Sequence, residues 1–370
     1  MYSTETQLHF FALKIKRLQS CCREANLSSR GKMKLESFWK SGLLEIEEAM
    51  STIRKGKVSV LTSSAGQRDI YMVEYGVKED FGRRANYNSA CGAKDPTHYA
   101  NKPEDSRPVL LIIGGIHGGE LEGIVAVMNL IQLLETGEDY RGKRHDYLFE
   151  NAHRFRLLLI PCMNPDGRAR LPVDTLINVS IDKTVYYMQG TWKDGSLCKW
   201  PDCKAVHPIK DASDFLGSYF NDDGVNIMHD NFFVPMARET SSLLGLVDRE
   251  APDFTVLLHG GSNYENHLLP TSYVPLGIMQ RQQAFNEQIA GAYLKKNLPY
   301  SKLNLILTDE GTYPYRAFNL TSAIHHVCGG ISFTFESNMG LDAPGIKLTG
   351  DEILDSHFVL FEEMFRYTSI

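Results

Sequence analysis

Two histidines and two glutamates are the residues of this 370-residue chain whose types and spacing best suit metal binding and catalysis. His117 and Glu120 stand three apart in Ile-Gly-Gly-Ile-His-Gly-Gly-Glu, His259 ends Val-Leu-Leu-His, and Glu336 ends Ser-Phe-Thr-Phe-Glu. Two histidines and a carboxylate can occupy three positions around zinc and leave the fourth for water. A further glutamate can take the proton from that water. The pattern therefore predicts a metal-dependent hydrolytic site, with His117, Glu120 and His259 as ligands and Glu336 as base.

The elements around these residues indicate how they could meet. A continuous apolar run at 109–113, closed by two glycines, predicts a buried strand that ends in a tight turn. Residues 121–134 follow with apolar side chains at helical spacing and without proline. The first histidine and glutamate should thus lie at the carboxyl end of a strand, where open α/β sheets bind their ligands. His259 repeats this arrangement after the apolar run 254–258.

The order of these motifs resembles that of the zinc metallocarboxypeptidase family, the funnelin-type relatives of carboxypeptidase A, over roughly residues 58–367. The family's Asn-Pro-Asp-Gly turn occurs at 164–167 and its Thr-Phe-Glu strand at 334–336. The resemblance implies that two histidines and the first glutamate bind one Zn²⁺. It also implies that Glu336 is general base and then general acid.

The resemblance also implies a fold. We expect an α/β protein, a three-layer α/β/α sandwich around a mixed, mostly parallel sheet, and the alternation of apolar runs with helical segments agrees. We predict an N-terminal helical extension at 1–50 and a catalytic domain at 51–370. Within that domain we expect paired strands at 58–61 and 69–75 and long loops at 80–107 and 168–238. The second loop should wall the cleft.

The sequence departs from the family where the family recognises its substrate. These peptidases carry Asn-Arg after Gly-Val-Asp-Leu, and the arginine holds the free C-terminal carboxylate. Here Gly-Val-Asn-Ile is followed by Met228 and His229, so the two-pronged guanidinium is missing. We expect His229 to be partly charged near neutral pH and to affect substrate affinity.

Other residues are candidates for substrate contact. A second family arginine, which polarises the scissile carbonyl, often follows a tryptophan, and the nearest match here is Lys193 after Trp192. The family's mobile tyrosine precedes the catalytic glutamate by a little over twenty residues, where Tyr313 and Tyr315 both fall. The predicted substrate-binding residues are therefore Arg170, Lys193, His229 and Tyr313, with Arg168 and Arg316 as alternative cations.

Composition excludes several classes of function. A net charge of −6 and a pI near 6.1 argue against nucleic-acid binding, and the absence of an apolar run of ~18 residues argues against a membrane span. Seven cysteines and no signal-like order of charge and apolar residues at the start predict a cytoplasmic protein. Cys198, Cys203 and His207 could hold a second metal, although free thiols are the favoured interpretation. The oligomeric state does not follow from the sequence.

We therefore predict a zinc-dependent hydrolase of amide bonds, acting on a small peptide in the carboxypeptidase manner. One alternative is a deacylase of the same fold that acts on N-acyl amino acids or small amides, which the missing Asn-Arg pair favours. The other is a binding protein without catalysis. An intact Glu336 beside an intact ligand set argues against it, because a binding protein needs no base.

Overall fold

The structure, a computed structural model, describes residues 36–307 and 316–368. These lie in one compact unit that begins at Glu36. A seven-stranded sheet runs through it in the order β1-β2-β4-β3-β7-β9-β8. The strands are β1 Lys57–Ser63, β2 Asp69–Tyr75, β3 Val109–Ile113, β4 Arg156–Ile160, β7 Phe254–Gly260, β8 His267–Leu269 and β9 Ile331–Ser337; β5 Gly190–Trp192 and β6 Ser213–Leu216 form a separate hairpin.

The four central strands, β4-β3-β7-β9, are parallel, whereas β1, β2 and β8 pair antiparallel at the edges. β3 and β4 are buried along their whole length, which explains their uninterrupted apolar sequences. Helices cover both faces of this mixed, mostly parallel sheet. The predicted α/β/α architecture is thereby confirmed.

The helices of the described chain are α1 Leu43–Thr52, α2 Tyr87–Gly92, α3 Leu121–Thr136, α4 Asp146–Asn151, α5 Pro165–Arg170, α6 Ile181–Gln189, α7 Arg238–Glu250, α8 Leu276–Lys295, α9 Leu320–Cys328 and α10 Gly350–Thr368. On one face of the sheet, Leu111 and Ile113 pack with Leu243 of α7 and Ile324 of α9. On the other, α3 lies against β3, β4 and β7, and α10 packs on α3. Because successive side chains of a strand point to opposite faces of the sheet, the central strands pack against an apolar helical layer on each face.

The paired strands predicted at the start of the catalytic domain are present as β1 and β2. The segment 80–107, expected to be a loop, contains the short helix α2. Likewise 168–238 contains α6 and the β5–β6 hairpin. Such short elements have too few turns or strand residues to give a clear periodicity.

Residues before the first strand pack on the rest of the unit. Trp39 is buried, and its indole N–H donates to the carbonyl of Asp174 at 2.9 Å. Ile46 and Met50 of α1 are buried as well. The division of the chain at residue 50 stays a prediction, and its first 35 residues lie outside the described part. Among the described residues, no helix is long and apolar enough to cross a membrane.

Candidate metal centre and catalytic site

The turn between β3 and α3 carries the first two candidate ligands. Gly115 takes a positive φ of 58°, which lets the chain leave the strand sharply. His117 follows, and Gly118 then passes so close to the Asn-Pro-Asp-Gly turn that a Cβ would lie 2.1 Å from the backbone N of Arg168. Glu120 immediately precedes the first residue of α3. The glycines therefore allow this turn to pack tightly, and the histidine and glutamate project from it.

His117, Glu120 and His259 converge on one buried point. Their side-chain ligand atoms all lie within 4.8 Å of one another, and among the described residues they form the group able to hold a metal. The three are 4%, 1% and 2% exposed. Glu120 Oε1 lies 2.8 Å from His117 Nδ1, and Glu120 Oε2 lies 2.8 Å from His259 Nδ1. The structure thus brings the three predicted ligands together.

Two atoms of this group have no hydrogen-bond partner in the described protein. They are His259 Nε2 and Glu120 Oε2, both fully buried, and the 2.8 Å contact of Glu120 Oε2 with His259 Nδ1 lacks the geometry of a hydrogen bond. Burying a carboxylate oxygen without a partner is costly, and a cation between the carboxylate and the two rings would remove that cost. The donor set, two imidazoles and one carboxylate, is one that zinc accepts. The residues present therefore fit a zinc ion.

A neighbouring amide fixes the tautomer of His117. Asn226 Oδ1 accepts the backbone N–H of Met228 at 3.0 Å, so this atom is the amide oxygen. His117 Nε2 lies 3.1 Å from the same oxygen and must therefore donate its hydrogen. The lone pair is left on Nδ1, the nitrogen that faces Glu120. This is the arrangement in which a metal-binding histidine is oriented by a second partner.

Glu336 lies beside the group on the neighbouring strand. It pairs in register with His259, because β7 and β9 run parallel from Phe254 and Ile331. Burial, together with the charge of Glu120, raises the pKa of Glu336 to about 7, although the charges of His259 and Lys204 oppose this. A carboxyl with such a pKa can exchange protons near neutral pH.

The charges within the group favour metal binding at Glu120 and His117, whereas at His259 the effect of burial is outweighed by the neighbouring carboxylates, which raise the pKa. Burial alone would raise the pKa of Glu120, but the charges of His117 and His259 lower it to about 2, so the carboxylate stays ionised. Burial lowers the pKa of His117, which favours the neutral ring. An ionised carboxylate and a neutral imidazole are the forms that coordinate metals.

Two further buried or stacked residues lie near the proposed ligands and escaped the sequence analysis. Tyr219 stacks on His117 with ring centroids 3.6 Å apart, and burial and the charges of Glu120 and Glu336 hold its pKa well above its usual value. Glu122, two residues beyond Glu120, is 1% exposed, and neither of its oxygens has a hydrogen-bond partner in the described protein. Neither residue stands in a motif, so sequence reasoning had no signal for them.

The predicted cations are placed differently from our expectation. Arg170 hydrogen-bonds to Asp222 and to the carbonyls of Gly217 and Phe220, so it serves the loop rather than the metal group. Arg168 likewise donates to carbonyl oxygens, among them that of Ser41. Lys193 lies exposed in the turn that follows β5. The structure therefore does not bring Arg170 or Lys193 to His117 and its partners.

His229 lies close to the site, but not in the charge state that we expected. Burial, with the positive charge of Lys204 next in importance, lowers the pKa of His229 to about 3. Its Nε2 lies 3.0 Å from Lys204 Nζ. The expectation of a partly charged imidazole near neutral pH was therefore wrong, because partial burial and a neighbouring ammonium both disfavour protonation.

The remaining candidates from the sequence are two tyrosines and a possible second metal site. Tyr313 and Tyr315 lie outside the described residues. Cys198 and Cys203 are free, buried thiols that pack with Ile209 and Phe220. His207 instead accepts the backbone N–H of Asn226 at 3.2 Å. Within the described part of the chain, these three do not form a second metal group.

Comparison with known proteins supports the resemblance drawn from the motifs. The sequence model of the zinc carboxypeptidase family matches residues 46–180. This family uses one zinc ion and acts on peptides, and the His-Glu-His group described above is of the kind that it needs. The resemblance to this family is thereby confirmed over residues 46–180. No curated protein matches the chain.

Solved metallocarboxypeptidase structures share the fold. A metallo-carboxypeptidase from Burkholderia cenocepacia is 15% identical, with a TM-score of 0.54, covering 87% of this chain and 67% of its own. Carboxypeptidase A from Helicoverpa armigera is 14% identical, with a TM-score of 0.51, covering 99% and 80%. A metallo-carboxypeptidase from Pseudomonas aeruginosa, in complex with (2-guanidinoethylmercapto)succinic acid, is 15% identical, with a TM-score of 0.50, covering 88% and 67%. The chain thus spans about two thirds of the length of the bacterial enzymes.

Proposed function

We propose that this protein is a zinc-dependent hydrolase of amide bonds in which His117, Glu120 and His259 hold the metal and Glu336 is general base and then acid. The family match supports a metallopeptidase-type hydrolase, and the residue roles are our assignment. Zinc held by these residues would polarise a carbonyl and lower the pKa of a bound water toward neutrality.

The protein's own residues then perform the proton transfers. The ionised Glu336 carboxylate accepts a proton from the attacking water, and the protonated carboxyl returns it to the nitrogen of the leaving amine. Asn226 keeps the His117 proton on Nε2, which leaves Nδ1 available to the metal. Tyr219, stacked on His117, covers one side of that ring from solvent.

The observation that carries the proposal is the position of Glu336. The proposal is supported by the in-register pairing of Glu336 with His259 and by the rise of the Glu336 pKa to about 7. A glutamate serving only as a structural ion-pair partner would have its pKa lowered by a cation rather than raised. A catalytically silent binding protein would gain nothing from such a group.

A deacylase acting on N-acyl amino acids remains the second candidate. It is favoured by Met228 and His229, which stand where family peptidases carry the Asn-Arg pair for a terminal carboxylate. One assay separates the candidates. The zinc-loaded protein is offered N-acylated dipeptides with free or amidated C-termini and N-acetyl amino acids. We expect the free-acid dipeptides to be cleaved fastest, whereas preference for N-acetyl amino acids would identify the deacylase, and no turnover of any of them would contradict amide hydrolysis.

A further inference from the structure

Lys204, a lysine that no motif indicated, contacts His229, three residues after the Asn226 that hydrogen-bonds to His117. Lys204 lies in the loop between β5 and β6, and its residue is exposed to solvent. Its positive charge opposes the rise in the pKa of Glu336 and of His259, and the negative charge of Glu336 acts in turn on Lys204. The charge of the Lys204 ammonium thus acts on both the proposed base, Glu336, and a proposed metal ligand, His259.

The position of this ammonium is fixed by two side chains. Lys204 Nζ lies 3.0 Å from His229 Nε2 and 5.3 Å from the centroid of the Trp200 ring. Because an ammonium has only donors, it donates to the Nε2 lone pair of a neutral imidazole. The ring face of Trp200 adds a cation–π contact. A flexible lysine is thereby held in one place, with N–H groups left over for an anion.

Three other cations named as candidates, Arg170, Arg168 and Lys193, are occupied or lie in an exposed turn. Arg170 is engaged by Asp222 and by main-chain carbonyls, and Arg168 by carbonyl oxygens as well. Lys193 lies in an exposed turn next to the β5–β6 hairpin. Lys204, by contrast, has an electrostatic effect on Glu336 and contacts His229, which follows the Gly-Val-Asn-Ile run.

We propose that Lys204 binds the carboxylate of the substrate's leaving amino acid and that His229 positions the Lys204 ammonium. This inference rests on the proposed amide hydrolysis. Both candidate substrate classes, peptides with a free C-terminus and N-acyl amino acids, carry such a carboxylate on the leaving side. An ammonium is a point charge without the directional fork of a guanidinium, so the site accepts a carboxylate in several orientations.

The test compares one substrate in two forms. An N-acylated dipeptide or an N-acetyl amino acid, whichever the wild type cleaves, is assayed as the free acid and as the carboxamide. In Lys204→Ala we expect KM for the acid to rise roughly tenfold or more, as for a lost hydrogen bond between charged groups, while kcat stays within about threefold. For the carboxamide, KM should stay close to that of the wild type, and kcat should change within the same threefold limit because Lys204 also acts on the charge of Glu336. Lys210→Ala, a matched exposed lysine nearer to β6, should leave both substrates unchanged.

His229 requires a different comparison, because it acts through Lys204. His229→Ala should raise KM for the acid, and His229→Gln, which keeps an acceptor for the ammonium, should restore part of the loss. A purely structural role would lower thermal stability and kcat for both substrate forms alike. That result in His229→Ala, without rescue by glutamine, would overturn the positioning role.

Three outcomes overturn the role of Lys204. The first is a wild type that does not prefer the acid, and the second is a Lys204→Ala variant with an unchanged preference. The third is a variant whose kcat falls equally for both forms, which would mean that Lys204 acts on the chemical step. A wild type that cleaves no amide substrate would instead refute the proposed function, and this inference with it.

Discussion

Glu336 stands directly opposite His259 on adjacent parallel strands. In a parallel pair, residues in register project from the same side of the sheet, so the proposed base and a proposed ligand share one edge of the cleft. The relationship depends on the register of two strands that are 77 residues apart in the chain. It explains how the proposed base and the proposed ligand, which come from distant motifs, lie close enough to act on the same water.

The metal assignment predicts a loss of zinc when one ligand is removed. His259→Ala takes away one of three protein ligands, so elemental analysis should find a sharply lower zinc content after dialysis. His326→Ala is the matched control, since His326 is exposed and bonded to the carbonyl of Tyr273. Full zinc occupancy in His259→Ala would refute this ligand set.

The base assignment predicts a loss of turnover without a loss of metal. Glu336→Gln keeps the size of the side chain but cannot accept the proton, so kcat should fall by roughly 10²–10⁴-fold. Zinc content and the thermal unfolding midpoint should stay close to those of the wild type. A decrease in kcat of less than about tenfold would remove Glu336 from the proposed role.

The hydrogen bond of Asn226 predicts an effect on zinc affinity. Asn226→Leu cannot accept from His117 Nε2, and loss of such a partner lowers metal affinity by roughly 10–100-fold. Asn226→Asp keeps an acceptor and should retain most of the affinity. Competition with a chromogenic chelator measures both variants, and equal affinities for the leucine and aspartate variants would contradict the account of the tautomer.

Glu122 predicts an unusual dependence of stability on pH. Burial raises its pKa to about 8, so between about pH 5 and 8 the folded protein keeps a proton that the unfolded chain has lost. The contribution to stability is complete below the unfolded pKa and is lost as pH rises toward 8. For metal-free protein, this group alone should lower the free energy of unfolding by about 1.4 kcal/mol per pH unit in that range.

Urea unfolding at several pH values tests this. Glu122→Gln carries no titrating proton, so the slope of stability against pH should become flatter by that amount. Glu287→Gln, at an exposed position on α8, should keep the slope of the wild type. An identical slope in Glu122→Gln would show that the carboxyl finds a partner or solvent in the folded protein.

The sequence was informative where a motif coincides with a strand end. The placement of His117 and Glu120 at the end of a strand could be predicted because an apolar strand, two glycines and a helix follow one another locally. His259 and Glu336 could be predicted from similar strand ends, although only the parallel register explains their closeness.

The sequence was less informative where long loops bring side chains to the site. Lys204 contacts His229, which lies 25 residues further along a mostly irregular part of the chain. Periodicity of apolar residues cannot predict a contact between two such loop residues. The same holds for Tyr219, whose stacking on His117 depends on the turn after β6. Arg170 was predicted to bind substrate because it is a cation near a family motif. In the structure its guanidinium instead forms an ion pair with Asp222 in the same loop region.

A zinc titration with an activity readout tests the central claim most directly. Wild-type protein is freed of metal by a chelator, and hydrolysis of the best N-acylated substrate is followed while zinc is added back. The account predicts no turnover without metal and a linear recovery that ends at one zinc per chain, whereas Glu336→Gln binds the same equivalent and stays inactive. Turnover by the metal-free protein, or full turnover by zinc-loaded Glu336→Gln, would contradict it.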